Sequence, residues 1–569
     1  MLFNSYIFVF VFFPICLFGY YGLLKGGKPE AAKVFLTAMS LWFYGYFNLS
    51  YLIIMVCSIA GNYLFHRLLS GERPGLLHAG SRKESERAKK AAHGEEQYER
   101  AAHGEAEHRE AEHGKTFRRA VMVLAAAMNL GVLFYFKYFD FFLDTVNGVF
   151  GTDFVLRGIL LPLGISFFTF QQISFIVDTY RGEVADCSLS EYALFVSFFP
   201  QLIAGPIVNH GEMLPQFRAM GKRKADWEKI AGGFALFVLG LSKKVLLADT
   251  LGAGADYGYK NLAVLGRADA CLVILFYALQ LYFDFSGYCD MAVGIGRMLG
   301  IEIPVNFHSP YKAVNIVDFW KRWHITLNRF FTKYVYIPLG GNRKGTGRMY
   351  LNFLIVFFLS GLWHGAGFHF IVWGMMHGVL YVATRFWQGH VRRGNEKYVI
   401  NRQKSGEDAV KSGIAAGKTT EPEKGTGGFC RRIGGKIMTV VSQIATFLYV
   451  SVAWVYFRAE NIGQANMLLW TACAGETKKI SPDLAECLQP EEFWYVIKVL
   501  HLDNLSFSRY ILMFLILAAG LYLSMAGRNA NERVARLKYG PVSAAVLVVL
   551  AVWCILSFSG VSTFLYFNF

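Results

Sequence analysis

The sequence predicts an all-α polytopic membrane protein of about eleven transmembrane helices, with re-entrant segments forming a funnel or tunnel around a central histidine. Three observations carry that prediction. Hydrophobic residues fill 54% of the 569 positions and aromatic residues 16%, and the mean hydropathy of +0.34 is too apolar for a water-soluble chain of this size. Apolar runs long enough to cross a bilayer recur along the whole chain, separated by basic connections. Two runs, 162–183 and 198–217, are interrupted by Pro and Gly, and non-helical backbone at membrane depth persists only where protein or a watery cavity satisfies it.

Residues 1–70 hold the N-terminal spans, in apolar runs near 2–24, 34–50 and 51–69. The first run lacks a basic leader and a small-residue cleavage site, so it reads as a retained span. Lys25, Lys28 and Lys33 follow it, which by the positive-inside rule puts the N-terminus outside and the connection after Arg67 in the cytoplasm. Residues 71–117 form a polar, low-complexity cytoplasmic insertion with AAHGE at 91–95 and 101–105 and AEHGK at 111–115. A period of ten turns His93, His103 and His113 about 80° apart on a helix, so a solvated helix or disordered loop is expected there and no metal site. The core follows over 118–387. In it Gln171, Gln172 and Asp178 are read either as polar lining groups of the funnel or as pairs between helices.

The run 229–248 ends in GLSKKVLLAD, where an interfacial ion pair of Lys243 or Lys244 with Asp249 is expected. Asp284 and Asp290 follow in the next span; a spacing of six places them about 120° apart on a helix, against a catalytic carboxylate pair. Asp284 is instead a candidate for holding a histidine or the basic side chains of the stretch from Asp318 to Gly378. Residues 388–436 are a second polar cytoplasmic insertion, and 437–569 supply the C-terminal spans, leaving the C-terminus outside with the N-terminus. The net charge of +16 is thereby explained as topology. The basic residues lie between apolar runs and form no soluble face with stacking aromatics, so nucleic acid is excluded as a partner and membrane lipid expected. Nine cysteines are scattered without metal-ligand spacing; Cys473 and Cys487 alone share a loop in which they are placed to pair.

Chemistry concentrates between Asp318 and Gly378. His324 stands in DFWKRWHITLNRF beside Trp320, Trp323 and the basic Lys321, Arg322 and Arg329, and His364 in an apolar run at a Trp-His-Gly turn. Polar side chains are costly inside a bilayer, so an intramembrane histidine is a functional-site candidate facing a cavity, the alternative being a hydrogen-bonded packing residue. Gly361, Gly365 and Gly367 strip side chains from around His364, which lets backbone or substrate approach; His369 and His377 lack such surroundings and read as packing residues. A neutral imidazole suits general-base catalysis on a hydroxyl. Trp320, Arg322, Trp323, Asn328, Arg329, Trp363, Asp284 and Lys243 are the candidate substrate-binding residues. The basic connections over 297–350 suit a phosphate-bearing ligand, and equally anionic headgroups. YIPLGGNRKG lacks P-loop spacing, and there is no GxSxG serine elbow.

With these residues in view, the chain resembles the membrane-bound O-acyltransferase family, and within it the alginate O-acetylation type, whose hallmark is a histidine in an apolar span with a second polar residue some tens of residues upstream. His364 and His324 match those positions, and the acyl transfer the resemblance implies gives His364 the role of general base and His324 that of orienting the donor or polarising its thioester carbonyl, the two roles being interchangeable at this level. Further family-like blocks lie at 129–142, 162–183, 198–217, 232–249, 279–307, 318–344, 361–378, 454–465 and 558–569. The resemblance implies transfer of an acyl group, acetyl for the alginate type, from a cytoplasmic thioester for O-acylation of a cell-surface or exported polysaccharide. It implies acetyl-CoA or an acyl-phosphopantetheine carrier protein as donor, used as a substrate with no cofactor permanently bound. It also implies a plasma membrane of bacterial inner type and an extracytoplasmic acyltransferase partner. A related type that moves D-alanine from a carrier protein to teichoic acid is the second expectation. A transporter is disfavoured because the spans show no internal repeat, and a scaffold without chemistry is separated by the effect of losing His364.

Overall fold

The computed structural model describes residues 1–71, 96–184, 186–411, 427–489, 498–499, 501, 507–560 and 564–565, all of them helix, turn or irregular backbone without strand. The described helices include eight long and apolar enough to cross a membrane. Of the polar insertions, 72–95 and 412–426 lie outside the described residues, as do His93 and the terminal residues 566–569; His103 and His113 fall on helical backbone. Cys473 and Cys487 are free thiols, so the expected pair is not formed. No cluster of metal-ligating side chains occurs among the described residues.

The chain divides into two compact units. The first comprises Met1–Ile230 with Gly296–Ile303. It contains α1 (Phe13–Lys25), α2 (Pro29–Gly45), α3 (Leu49–Gly71), α4 (Glu96–Lys137), α5 (Phe139–Phe150), α6 (Ile165–Tyr180), α7 (Leu189–Ser197) and α8 (His210–Arg218). Its polar groups are spent on tying helices together, because an unpaired amide or carboxylate in an apolar interior is costly. Asn62 and Asn129 exchange amide hydrogen bonds of 3.1 and 2.7 Å between α3 and α4. The 162–183 run is a continuous helix after Gly164, which takes a left-handed φ of 72° at its start. Gln171 donates to the Phe195 carbonyl at 2.6 Å, Gln172 joins Ser58 and Tyr192, and Asp178 meets His210 Nε2 at 3.1 Å. Of the two roles considered for these three residues, the structure has the interhelical one.

The second unit, Ala231–Ile295 with Pro304–Phe569, carries the stretch of interest. A long span runs as α9 (Trp227–Ser242), a π-helical turn at Lys243–Ala248 and α10 (Asp249–Lys260), and packs on α11 (Arg267–Met298). The seam is built of glycine. A Cβ on Gly240 would lie 2.7 Å from the Gly287 carbonyl, and one on Gly294 2.6 Å from that of Gly233. Glycine pairs seven residues apart on each helix therefore let the two backbones touch. Two short helices, α12 (Ile316–Arg322) and α13 (Ile325–Phe331), lead into α14 (Thr346–His364), α15 (Phe368–Lys411) and α16 (Gly427–Arg458). The unit closes with α17 (Ile462–Ala474), α18 (Ser508–Met525), the short α19 (Ala530–Ala535) and α20 (Pro541–Leu556).

Candidate active site

His324 sits at the joint between α12 and α13 with φ 45° and ψ 53°, a left-handed conformation. For a residue with a Cβ this costs on the order of 1–2 kcal/mol, so a histidine there in place of glycine points to a requirement for the imidazole. The ring is 1% exposed, and its Nδ1 lies 3.2 Å from Asn306 Oδ1. Neighbouring contacts decide which way that bond runs. The same Oδ1 accepts from the Thr326 backbone N–H at 3.2 Å and the Thr326 hydroxyl at 2.9 Å, so it is the amide oxygen that faces the ring. His324 Nδ1 must then carry the proton, and Nε2 is left with the lone pair. Burial pushes the His324 pKa down to about 3, so the ring is neutral at ordinary pH; His324 lies outside the eight candidate spans.

His364 ends α14 and is 3% exposed; Gly365 is extended, and α15 begins at Phe368. It therefore stands at the corner between two packed helices. Its ring meets Trp363 at 4.8 Å, Trp373 at 5.0 Å and Phe457 at 5.1 Å between centroids. Trp363 is common to both histidines, with its ring 6.1 Å from that of His324. The glycines around His364 do not open space for a substrate. The place of a Gly361 side chain is taken by the Phe370 carbonyl, that of Gly365 by the Phe370 ring and that of Gly367 by the His369 ring. They serve helix packing, because a corner this tight leaves no room for a Cβ.

Of the other sequence candidates, Trp320, Trp323 and Trp363 join the same buried aromatic wall. Trp323 lies 4.9 Å from Trp454, and Trp320 5.9 Å from Trp373. Asn328 is turned to the backbone, donating to the carbonyls of Trp320 at 2.6 Å and Trp323 at 2.8 Å, and so fixes the turn that carries His324. Arg322 pairs with Asp318 at 2.9 Å, while Arg329 is exposed on α13. Asp284 holds neither a histidine nor a basic side chain of the stretch from Asp318 to Gly378. It holds Lys244 Nζ at 2.7 Å and accepts from the Leu565 backbone N–H at 3.0 Å. Lys243 reaches Asp290 at 2.6 Å, and Lys244 also reaches Asp249 at 2.7 Å. The π-helical turn explains how adjacent lysines both find acids: i→i+5 bonding widens the turn and brings two successive side chains to the α11 side.

Removing one partner from such a buried network leaves a bare charge. Lys244→Met is expected to destabilise the folded protein by about 3–5 kcal/mol, seen as a lowered thermal midpoint in detergent. Adding Asp284→Asn should restore part of the loss, whereas an unchanged midpoint for Lys244→Met would show the triad to be energetically neutral.

Sequence reasoning missed Asn306, eighteen residues before His324, and the ring wall of Trp373, Trp454 and Phe457. His377 is fully buried between Phe319, Trp320, Trp373 and Trp454, with neither ring nitrogen hydrogen-bonded among the described residues. No local signal marks Asn306, since asparagine before a turn is ordinary.

Two buried histidines that share Trp363 in a thick aromatic wall make a water-excluding site whose ring nitrogens can accept or donate a proton. Residues 177–399 match the MBOAT, membrane-bound O-acyltransferase family. A peptidoglycan O-acetyltransferase of Helicobacter pylori is 36% identical over 82% of this chain and 79% of its own length. A probable alginate O-acetylase of Pseudomonas aeruginosa is 35% identical over 81% of this chain and 73% of its own. A teichoic acid D-alanyltransferase of Bacillus subtilis is 27% identical over 42% of this chain and 61% of its own. Together with the apolar helices, these similarities make the chain a multi-pass membrane protein that belongs to the membrane-bound O-acyltransferase family and is an O-acyltransferase.

Proposed function

We propose that this O-acyltransferase moves an acetyl group from a cytoplasmic thioester, acetyl-CoA or an acyl-phosphopantetheine carrier protein, for O-acetylation of a cell-surface or exported polysaccharide. Its setting is a bacterial-type inner membrane with both termini outside, and an extracytoplasmic acyltransferase partner delivers the group to the polymer. Acetyl is favoured over D-alanyl because the alginate and peptidoglycan relatives match over most of the chain and the teichoic acid relatives over less than half. Mass spectrometry of surface glycans with and without the protein tests this reading: loss of acetyl supports it, and loss of D-alanine or of no group overturns it.

The observation that carries the mechanism is the Asn306–His324 bond. A neutral ring protonated at Nδ1 offers Nε2 as a base and has no second N–H with which to polarise a carbonyl. This favours His324 as the base and His364 as the donor to the oxyanion, the reverse of the roles assigned from sequence. His324 Nε2 takes the proton of the acceptor hydroxyl as its oxygen attacks the thioester carbonyl carbon. The C–O bond forms, His364 N–H holds the oxyanion, the C–S bond breaks, and the departing thiolate recovers the proton from His324. The imidazolium formed in between is stabilised by the oxyanion beside it. Both rings are buried, so the aromatic wall must part to admit the thioester, and the reaction then proceeds away from water.

Asn306 is a positioning residue in this scheme. Asn306→Ala should lower kcat on the order of 10-fold to 10²-fold with little change in KM, because it frees the tautomer and leaves the donor site intact. A proportional rise in KM with kcat unchanged would place Asn306 in substrate binding instead.

A further inference from the structure

A cavity in the same unit has a built form that the mechanism above does not use. It measures about 620 Å³, within the ~300–1,000 Å³ range of small-molecule sites, and neither His324 nor His364 lines it. One wall is a single face of α18. Leu512, Leu515, Ile516, Ala519 and Leu523 recur at helical spacing and all line the groove. The facing wall includes Leu239, Leu246, Leu550 and Trp553 from α9, the π-helical turn and α20. From Leu512 to Leu523 the apolar stripe extends about 16 Å at 1.5 Å per residue, close to half of a ~30 Å hydrocarbon core.

Just past the end of α18 the stripe meets charge. Arg528 and Arg533 line the same groove, both exposed. Neither guanidinium forms an ion pair with a described carboxylate, although Arg533 Nε donates to the Arg528 carbonyl at 2.9 Å. Of the other ionised groups in the lining, Lys243 is paired with Asp290, and Asp249 shares Lys244 with Asp284. The mouth is therefore cationic in excess, next to an apolar slot one leaflet deep.

We propose that this groove is a binding site for one anionic phospholipid, its phosphate on Arg528 and Arg533 and an acyl chain along α18. The charge excess selects an anionic headgroup over a zwitterionic one, and the leaflet-length slot selects an intact lipid over a free phosphate. This inference is independent of the acyl donor and acceptor.

The test is native mass spectrometry of the full-length protein released from detergent with phosphatidylglycerol or phosphatidylcholine of equal chain length. Phosphatidylglycerol should be retained about tenfold or more in excess, as two arginines near a headgroup predict. The Arg528→Gln, Arg533→Gln double variant should lose that preference; both residues are exposed, so folding is not at stake. Ala519→Trp, which fills the slot from an exposed position, should lower retention of both lipids. Equal retention of the two lipids by the wild type, an undiminished preference in the double variant, or competition by glycerophosphate as effective as intact lipid would each overturn the proposal.

Discussion

Replacing His324 with Asn is expected to lower acyl transfer about 10²–10⁴-fold while the protein stays folded. Asparagine is chosen because it tolerates the left-handed backbone that His324 adopts at φ 45° and keeps a polar side chain near Asn306, yet cannot take a proton. The measurement is the initial rate of O-acylation in membranes at matched abundance, and a wild-type rate would remove His324 from the mechanism. Its burial adds a pH signature. With the pKa held down to about 3 against an ordinary 6.5, the base form persists through mild acid, so the rate should be level from about pH 8 to pH 5. Between 6.5 and 3 the unfolded chain binds a proton that the folded one does not, so stability falls as pH drops through that window. A rate profile with an acid limb centred near 6.5 that disappears in the Asn variant would show that the ring titrates as if solvated.

The second large effect is expected at His364, where two substitutions separate its roles. His364→Ala removes the N–H proposed to hold the oxyanion and should cost about 10²–10³-fold in kcat, with KM little changed. His364→Gln keeps an amide N–H near the same place and should recover part of that loss. A base cannot be replaced by an amide, so equal loss in Ala and Gln would return the base role to His364, as its sequence context suggested. Because His364 packs against Trp363, Trp373 and Phe457, folding of each variant is checked by its size-exclusion profile and thermal midpoint.

Much of this was legible along the chain. Hydropathy and the order of blocks reveal a membrane protein of the O-acyltransferase family, and the stretch from Asp318 to Gly378 does hold two histidines on one aromatic wall. Those features are local or nearly so. A span is recognised from about twenty consecutive residues, and a histidine in an apolar run is conspicuous because lipid makes it expensive.

What only tertiary structure decided depends on partners far apart in sequence. The tautomer of His324 follows from an asparagine in a separate segment, whose oxygen is identified only by the Thr326 donors around it. Asp284, placed by its neighbours near the basic stretch, goes to Lys244 because glycine contacts let α9 and α11 touch and a π-helical turn rotates both lysines inward. The glycines flanking His364, equally compatible in sequence with an open site or a tight corner, proved to be filled by Phe370 and His369. Composition and periodicity thus determined which segments seek lipid. The direction of each hydrogen bond and the pairing of each buried charge had to await the close approach of helices, because only there does desolvation force every polar group to a particular partner.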